Sequence, residues 1–172
     1  VRDAADTGLV AIVHPWESGM DNSPSFDGVK DHFLKHHLPP GFEPPPRADT
    51  KRVPPEQRPT QDYYQFSWGL IRIFRETGWN PREMVKRSPC LIDDVLFNSI
   101  WARANDDLAT LAWVLNKPRD QARFAAWATQ TRRALGRHCW SARDGFFYSV
   151  DRRARQQIRV RTVGGLVTLY AG

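Results

Sequence analysis

Two cysteines, Cys90 and Cys139, are all that 172 residues contain, too few for a disulfide framework. As buried thiols they fit a reducing compartment, and the cytoplasm is the expected location. Long apolar runs are missing too. No stretch approaches the roughly 18 residues that a membrane span needs, so no membrane partner is expected. The first residues do not read as a secretory leader, because Arg2, Asp3 and Asp6 precede any apolar core. No Gly-rich phosphate cradle appears, and Gly164-Gly165 reads as a turn or a close helix contact. Ser18-Gly19 and Ser23-Pro24 lack the flanking glycines of a nucleophile elbow. His32 and His36 stand four apart, but no third ligand accompanies them and His37 is expected to point elsewhere. Neither a metal nor an organic cofactor is therefore expected.

What is present is positive charge and helical period. The net charge is +6, yet nine arginines (132, 133, 137, 143, 152, 153, 155, 159 and 161) face only Asp144 and Asp151 in one stretch. That local surplus admits two readings. A solvated rim is the plainer one. The other is a non-catalytic helical module that binds nucleic acid through residues 132–161, although no aromatic side chains interleave there as stacking platforms.

Leu96, Ile100, Ala104, Leu108, Leu111 and Leu115 recur at steps of three and four, which predicts an amphipathic helix over residues 94–115 with this stripe as its apolar face. Pro118 opens a second helix through Ala122, Ala125, Ala128 and Leu135, ending at Gly136. Few residues join the two, so they should pair antiparallel. Thr60 to Thr77 is a third helix, capped by Thr60 and stopped by Gly78, and Asn80-Pro81 opens a short fourth. Eight prolines between residues 39 and 59 exclude regular structure there, as in a functional loop or linker. Asp144-Gly145 and the alternation at Ile158–Arg161 predict one small β-hairpin near residues 146–161. The tryptophans 101, 113 and 127 are expected to pack. The sum is an all-α series of helix pairs with one small hairpin, forming a single domain over 1–172.

Chemistry concentrates in His14-Pro15-Trp16-Glu17-Ser18-Gly19-Met20-Asp21-Asn22-Ser23-Pro24-Ser25-Phe26-Asp27. Pro15 should end the apolar run Leu9–Val13, leaving Glu17, Asp21 and Asp27 on or beside a loop with Trp16, Met20 and Phe26. Aromatic faces cover the C–H faces of a pyranose, while carboxylates and amides bind its hydroxyls. A carboxyl among apolar neighbours can keep the proton that an acid catalyst needs. The plainer reading is that the acids cap helices and the aromatics belong to the core.

This signature resembles that of inverting glycoside hydrolases with an α/α toroid, closest to the bacterial mannosylglycerate and glucosylglycerate hydrolases related to glycoside hydrolase family 63. Further similar segments are Arg47-Ala48-Asp49, Arg58-Pro59-Thr60 with Tyr64, Asp94–Asn98 with Ala104-Asn105, and Arg161–Leu166 with Leu169–Gly172. The resemblance implies a partial (α/α) toroid whose small carbohydrate substrate is a glycosylglycerate or another short α-glucoside. It implies Asp21 as the general acid, Trp16 and Asn22 around the sugar, and Arg58 and Tyr64 at the glycerate. Glu17, four residues from Asp21 on the same stretch, is expected to support the loop or bind a hydroxyl. An inverting base acts through water from the opposite face, roughly 6.5–9.5 Å away. The family's base is a late glutamate in a Glu-Tyr segment. No glutamate here has that setting, so an incomplete catalytic domain, inactive alone, is expected. Phe26 stands where relatives carry Trp.

Overall fold

The computed structural model describes residues 7–172, and backbone contacts group them into two units. One is Val13–Leu91; the other joins the chain up to Ile12 with Ile92–Gly172.

In the first unit, α1 spans Asp27–His36, α2 Gln61–Glu76 and α3 Pro81–Arg87. α2 follows from its sequence. Thr60 accepts the Tyr63 N–H through its hydroxyl (3.3 Å), and Tyr63, Phe66, Ser67, Leu70, Ile73 and Phe74 turn inward. Gly78, at φ +59°, takes the left-handed conformation just past its end. Asn80 caps α3, its Oδ1 accepting the N–H groups of Arg82 (3.0 Å) and Glu83 (3.3 Å). α1 carries little apolar signal, since it buries only Val29 and Phe33. It packs on α2 through Phe33 and Phe66, ring centroids 5.4 Å apart. Gly69 permits that approach: a Cβ there would stand 2.5 Å from the Phe33 ring. Between α1 and α2 the proline-rich loop holds only two 3-10 turns, Asp49–Lys51 and Pro55–Gln57.

The second unit is built on α4 (Val95–Val114) and α5 (Pro118–Ala134), with a short α6 (Thr168–Ala171). Asp94 caps α4, its Oδ1 accepting the Phe97 N–H at 2.8 Å. The helix is where the period put it, and much of its apolar stripe is exposed. α4 buries Val95, Asn98, Ser99, Ala102, Asn105 and Ala112, while Ile100, Leu108, Leu111 and Leu115 are exposed. Most of the buried α4 side chains are small, and Ala102 among them lies in the core with Ala134 and Leu135. Trp113, expected to pack, is 66% exposed, whereas Trp101 and Trp127 stack at 6.3 Å. α5 does not stop at Gly136. It runs into a π-helical turn, Leu135–Cys139, that leads directly to the first strand of a hairpin.

The strand region resolves into more than one pairing. β1 is Ile92–Asp93, β2 Trp140–Ser141, β3 Phe146–Phe147, β4 Val150–Asp151 and β5 Gln156–Gln157. β2 pairs with β3 across the Asp144-Gly145 turn, and β4 pairs with both β5 and β1, all antiparallel. Ile158–Arg161 lies beyond the last strand. Ile12 bridges Ile92 through two backbone hydrogen bonds of 2.9 and 3.0 Å. Leu9, Val95, Ala102, Ala134, Leu135, Cys139 and Ala171 form this unit's core, and neither cysteine is in a disulfide. Several of the clustered arginines have acidic partners: Arg132 pairs with Asp106, Arg152 with buried Asp93 (2.8 Å) and Arg159 with Asp144. Among the described residues, no helix is long and apolar enough to cross a membrane.

Candidate functional site

The apolar run ends at His14, whose extended backbone (φ −143°, ψ 138°) leads into the 3-10 turn Pro15–Ser18. Two side chains fold this turn back on itself. His14 Nδ1 accepts the Trp16 N–H (3.2 Å), and Glu17 Oε2 accepts the N–H groups of Val13 (2.7 Å) and His14 (3.2 Å). Backbone donors left over at a turn's start are thus satisfied reciprocally. Ser18 Oγ donates to the Pro15 carbonyl (2.7 Å) and accepts the Met20 N–H (2.9 Å). Gly19, at φ +72°, reverses the chain. A Ser23 N–H to Met20 carbonyl bond of 2.9 Å then closes a turn with Asp21 and Asn22 at its tip. Ser23 accepts the Ser25 N–H, and Pro24–Phe26 leads into α1.

This path sets the exposure of each expected residue. The Trp16 indole is 48% exposed, Asn22 is exposed, and Asp21 is half-buried with no hydrogen-bond partner among the described residues. Glu17 is half-buried and serves as the loop's brace. Phe26 is 1% exposed, so it supports the loop from the core. Asp27 begins α1 and lies 3.5 Å from Lys30.

α2 is the wall on which the loop docks. His14 Nε2 lies 3.1 Å from the Ser67 carbonyl, and the His14 ring packs against Trp16 (4.5 Å) and Phe74 (6.1 Å). Burial pushes the His14 pKa below its usual value, although the Ser67 bond and the charges of Glu17 and Asp21 oppose that shift. One turn earlier, burial and then the Asp21 charge push the Tyr63 hydroxyl far above its usual pKa. The hydroxyls of Tyr63 and Ser67 are buried without a partner among the described residues.

Arg58 and Tyr64 belong to a second cluster, organised by two residues given no role from the sequence, Arg47 and Asp49. Arg47 grips the Asp49 carboxylate with Nε (3.1 Å) and Nη2 (2.7 Å), while its Nη1 donates to the Pro59 carbonyl (2.8 Å). Arg58 Nε donates to Asp49 Oδ2 at 2.9 Å. These bonds, Arg47's above all, hold the Asp49 carboxyl far below the usual carboxylate range. Arg58 keeps its terminal N–H groups without a partner among the described residues. Arg47 also lies over the Tyr64 ring at 5.0 Å, and Tyr64 meets Trp68 edge-on at 6.1 Å. Trp16, Glu17, Asp21 and Asn22 therefore share one loop that docks on α2 at Ser67. Arg58 and Tyr64 share a cluster at the start of the same helix.

The sequence reading passed over His14, yet a signal existed. An acceptor side chain before proline, with Glu three residues on, is a turn-capping pattern. His37 departs from expectation, its ring standing 5.4 Å from His32 because the chain leaves the helical conformation there. Among the described residues, no group of three His, Cys, Asp or Glu side chains is placed to hold a metal ion.

Comparison with known proteins defines the class first. The model of a glycoside hydrolase domain, mannosylglycerate hydrolase MGH1-like, matches residues 1–172, and the chain belongs to that family. Mannosylglycerate hydrolase of Thermus thermophilus is 40% identical over 171 residues, which are 99% of this chain and 40% of that enzyme. The crystal structure of a family 63 mannosylglycerate hydrolase from Thermus thermophilus, in complex with Tris and D-glycerate, superposes with a TM-score of 0.90. It shares 40% identity, with 99% of this chain and 40% of that one covered. Glucosylglycerate hydrolase of Mycolicibacterium hassiacum is 28% identical over 76% of this chain and 29% of its own length. The chain thus spans about 40% or less of the length of these relatives.

Proposed function

We propose that this chain supplies the acid half of an inverting glycosidase site for a glycosylglycerate, with Asp21 as the proton donor. The observation that carries the reading is the Asp21 carboxyl itself. It sits half-buried at the tip of a braced turn, on the same loop as the exposed Trp16, with no hydrogen bond of its own among the described residues. Glu17 is spent on holding the loop, which leaves Asp21 the carboxyl of this turn free to meet a substrate.

Trp16 offers the sugar an apolar face, and Asn22 offers a donor and an acceptor for a hydroxyl. Asp49 fixes Arg58 through Nε, leaving the terminal N–H groups to meet a carboxylate such as that of glycerate. Tyr64, under the Arg47 guanidinium, adds a hydroxyl to the same cluster. The reaction then runs by protonation of the glycosidic oxygen by Asp21. Water attacks the anomeric carbon from the opposite face, activated by a base outside residues 1–172. Both units belong, in this reading, to one incomplete catalytic domain, and no cofactor takes part. Relatives named for mannosylglycerate and glucosylglycerate support the substrate class, as does the D-glycerate in the Thermus structure.

The test uses a hydrolytically competent form of the protein, one that supplies the partner carboxylate. With mannosylglycerate or glucosylglycerate, the first-formed sugar is expected to be the β-anomer by NMR. Asp21→Asn should lose about 10²- to 10⁴-fold in kcat with little change in binding. An α-anomer as first product, or ordinary turnover by Asp21→Asn, overturns the reading.

A further inference from the structure

We propose that His14 is a positioning residue that sets the Trp16–Asp21 loop against α2, and that it acts only as the neutral imidazole carrying its proton on Nε2. The two ring nitrogens have opposite duties. Nδ1 receives a backbone N–H, from Trp16 at 3.2 Å, so it must be an acceptor. Nε2 faces a carbonyl, that of Ser67 at 3.1 Å, so it must be a donor. One neutral tautomer satisfies both, and a second proton would set N–H against N–H at the Trp16 turn. The Ser67 bond links residues 53 apart in the sequence and is buried, so it is a tether between loop and helix.

The same ring touches the indole assigned to the sugar. His14 and Trp16 stand 4.5 Å apart at 55°, and Phe74 closes the other side edge-on at 6.1 Å. Loss of the Nδ1 acceptor therefore frees the Trp16 backbone and the ring contact together. Asp21 follows five residues on, past the Pro15–Ser18 turn that holds Trp16. The charged groups facing His14 are Glu17 and Asp21, both from its own loop; α2 presents the Ser67 carbonyl and Phe74. The two carboxylates favour protonation and burial opposes it, with burial prevailing. Positioning thus fails on the acid side, below the ordinary histidine value of 6.5.

The inference rests on the assignment of Asp21 as acid, but its test needs no hydrolysis. NMR of the 172-residue chain, labelled with ¹⁵N and ¹³C, reads the imidazole nitrogens, the Trp16 amide and the Asp21 carboxyl between pH 4 and 8. At pH 7, Nε2 should be protonated and Nδ1 bare. On acidification the Trp16 amide and the Asp21 carboxyl should each show a step at the His14 midpoint, below 6.5. The Asp27 carboxyl, at the start of α1, should show none at that pH. His14→Asn places an amide oxygen near the Nδ1 position and should keep the Trp16 amide protected. His14→Gln keeps a donor toward Ser67 but lacks that acceptor. It should speed Trp16 amide exchange by about threefold to tenfold and remove the shared step. The opposite tautomer, or Trp16 and Asp21 signals that ignore the His14 midpoint, overturns the proposal even if neither variant folds. If the shared step is present but Asp21→Asn retains turnover in the competent enzyme, the glycosidase assignment fails and the positioning role stands.

Discussion

Glu17 and Asp21 lie four residues apart on one loop, and their hydrogen bonds divide the labour between them. Glu17 Oε2 accepts two backbone N–H groups, whereas Asp21 has no such commitment among the described residues. Glu17→Ala should therefore destabilise by about 1–2 kcal/mol, the range for lost charge-assisted bonds at a half-exposed site, and lower the Tm. Asp21→Asn should leave the Tm unchanged, and a scanning-calorimetry pair separates the two roles. His14 adds a pH signature. Its folded pKa lies below the ordinary 6.5, so the unfolded chain takes up the extra proton first. The stabilisation from neutral His14 is whole above pH 6.5 and drains away as the pH falls toward the lowered value. Denaturant titrations at pH 7 and 5 should show that loss in the native chain and a smaller one in His14→Asn. The residue types of this site were legible in the sequence, where Glu17 is expected to support the loop, but its backbone partners were not. Glu17 and Asp21 look alike in print, and only the path of the backbone shows which one is already bonded.

At the scale of elements, period and capping residues located helices better than faces. Thr60, Gly78, Asn80 and Asp94 stand where helix-end chemistry requires, and α2, α3 and α4 begin or end beside them. α1 escaped notice because two buried residues in ten leave almost no apolar period. On α4 the bulky stripe does not mark the buried face, which carries Ser99, Ala102 and Ala112 while most of the leucines are exposed. The hairpin region was legible from Asp144-Gly145, but two-residue strands are too short for alternation to fix their partners. Close packing also makes a prediction in the first unit. Gly69→Ala places a methyl 2.5 Å from the Phe33 ring, which must shift in a buried contact. A cost of about 1–3 kcal/mol is expected, and thermal unfolding measures it. An unchanged Tm would mean that α1 and α2 pack less closely than described.

For the whole molecule, family membership covers all 172 residues, while the chain spans only 40% of the Thermus enzyme. Ile100, Leu108, Leu111, Leu115, Leu166 and Leu169 are each exposed in the second unit, and exposed apolar side chains favour association where they adjoin. Light scattering of the 172-residue chain should detect self-association that Leu111→Lys reduces; a monodisperse native chain would count against these side chains adjoining. The most direct test of the central claim, that Asp21 hands its proton to the departing oxygen, is leaving-group dependence in the competent enzyme. Asp21→Asn should lose about 10²- to 10⁴-fold on the glycerate-linked substrate and little on a dinitrophenyl α-glycoside, whose leaving group needs no proton. Equal losses on both substrates, or none on either, would contradict the account.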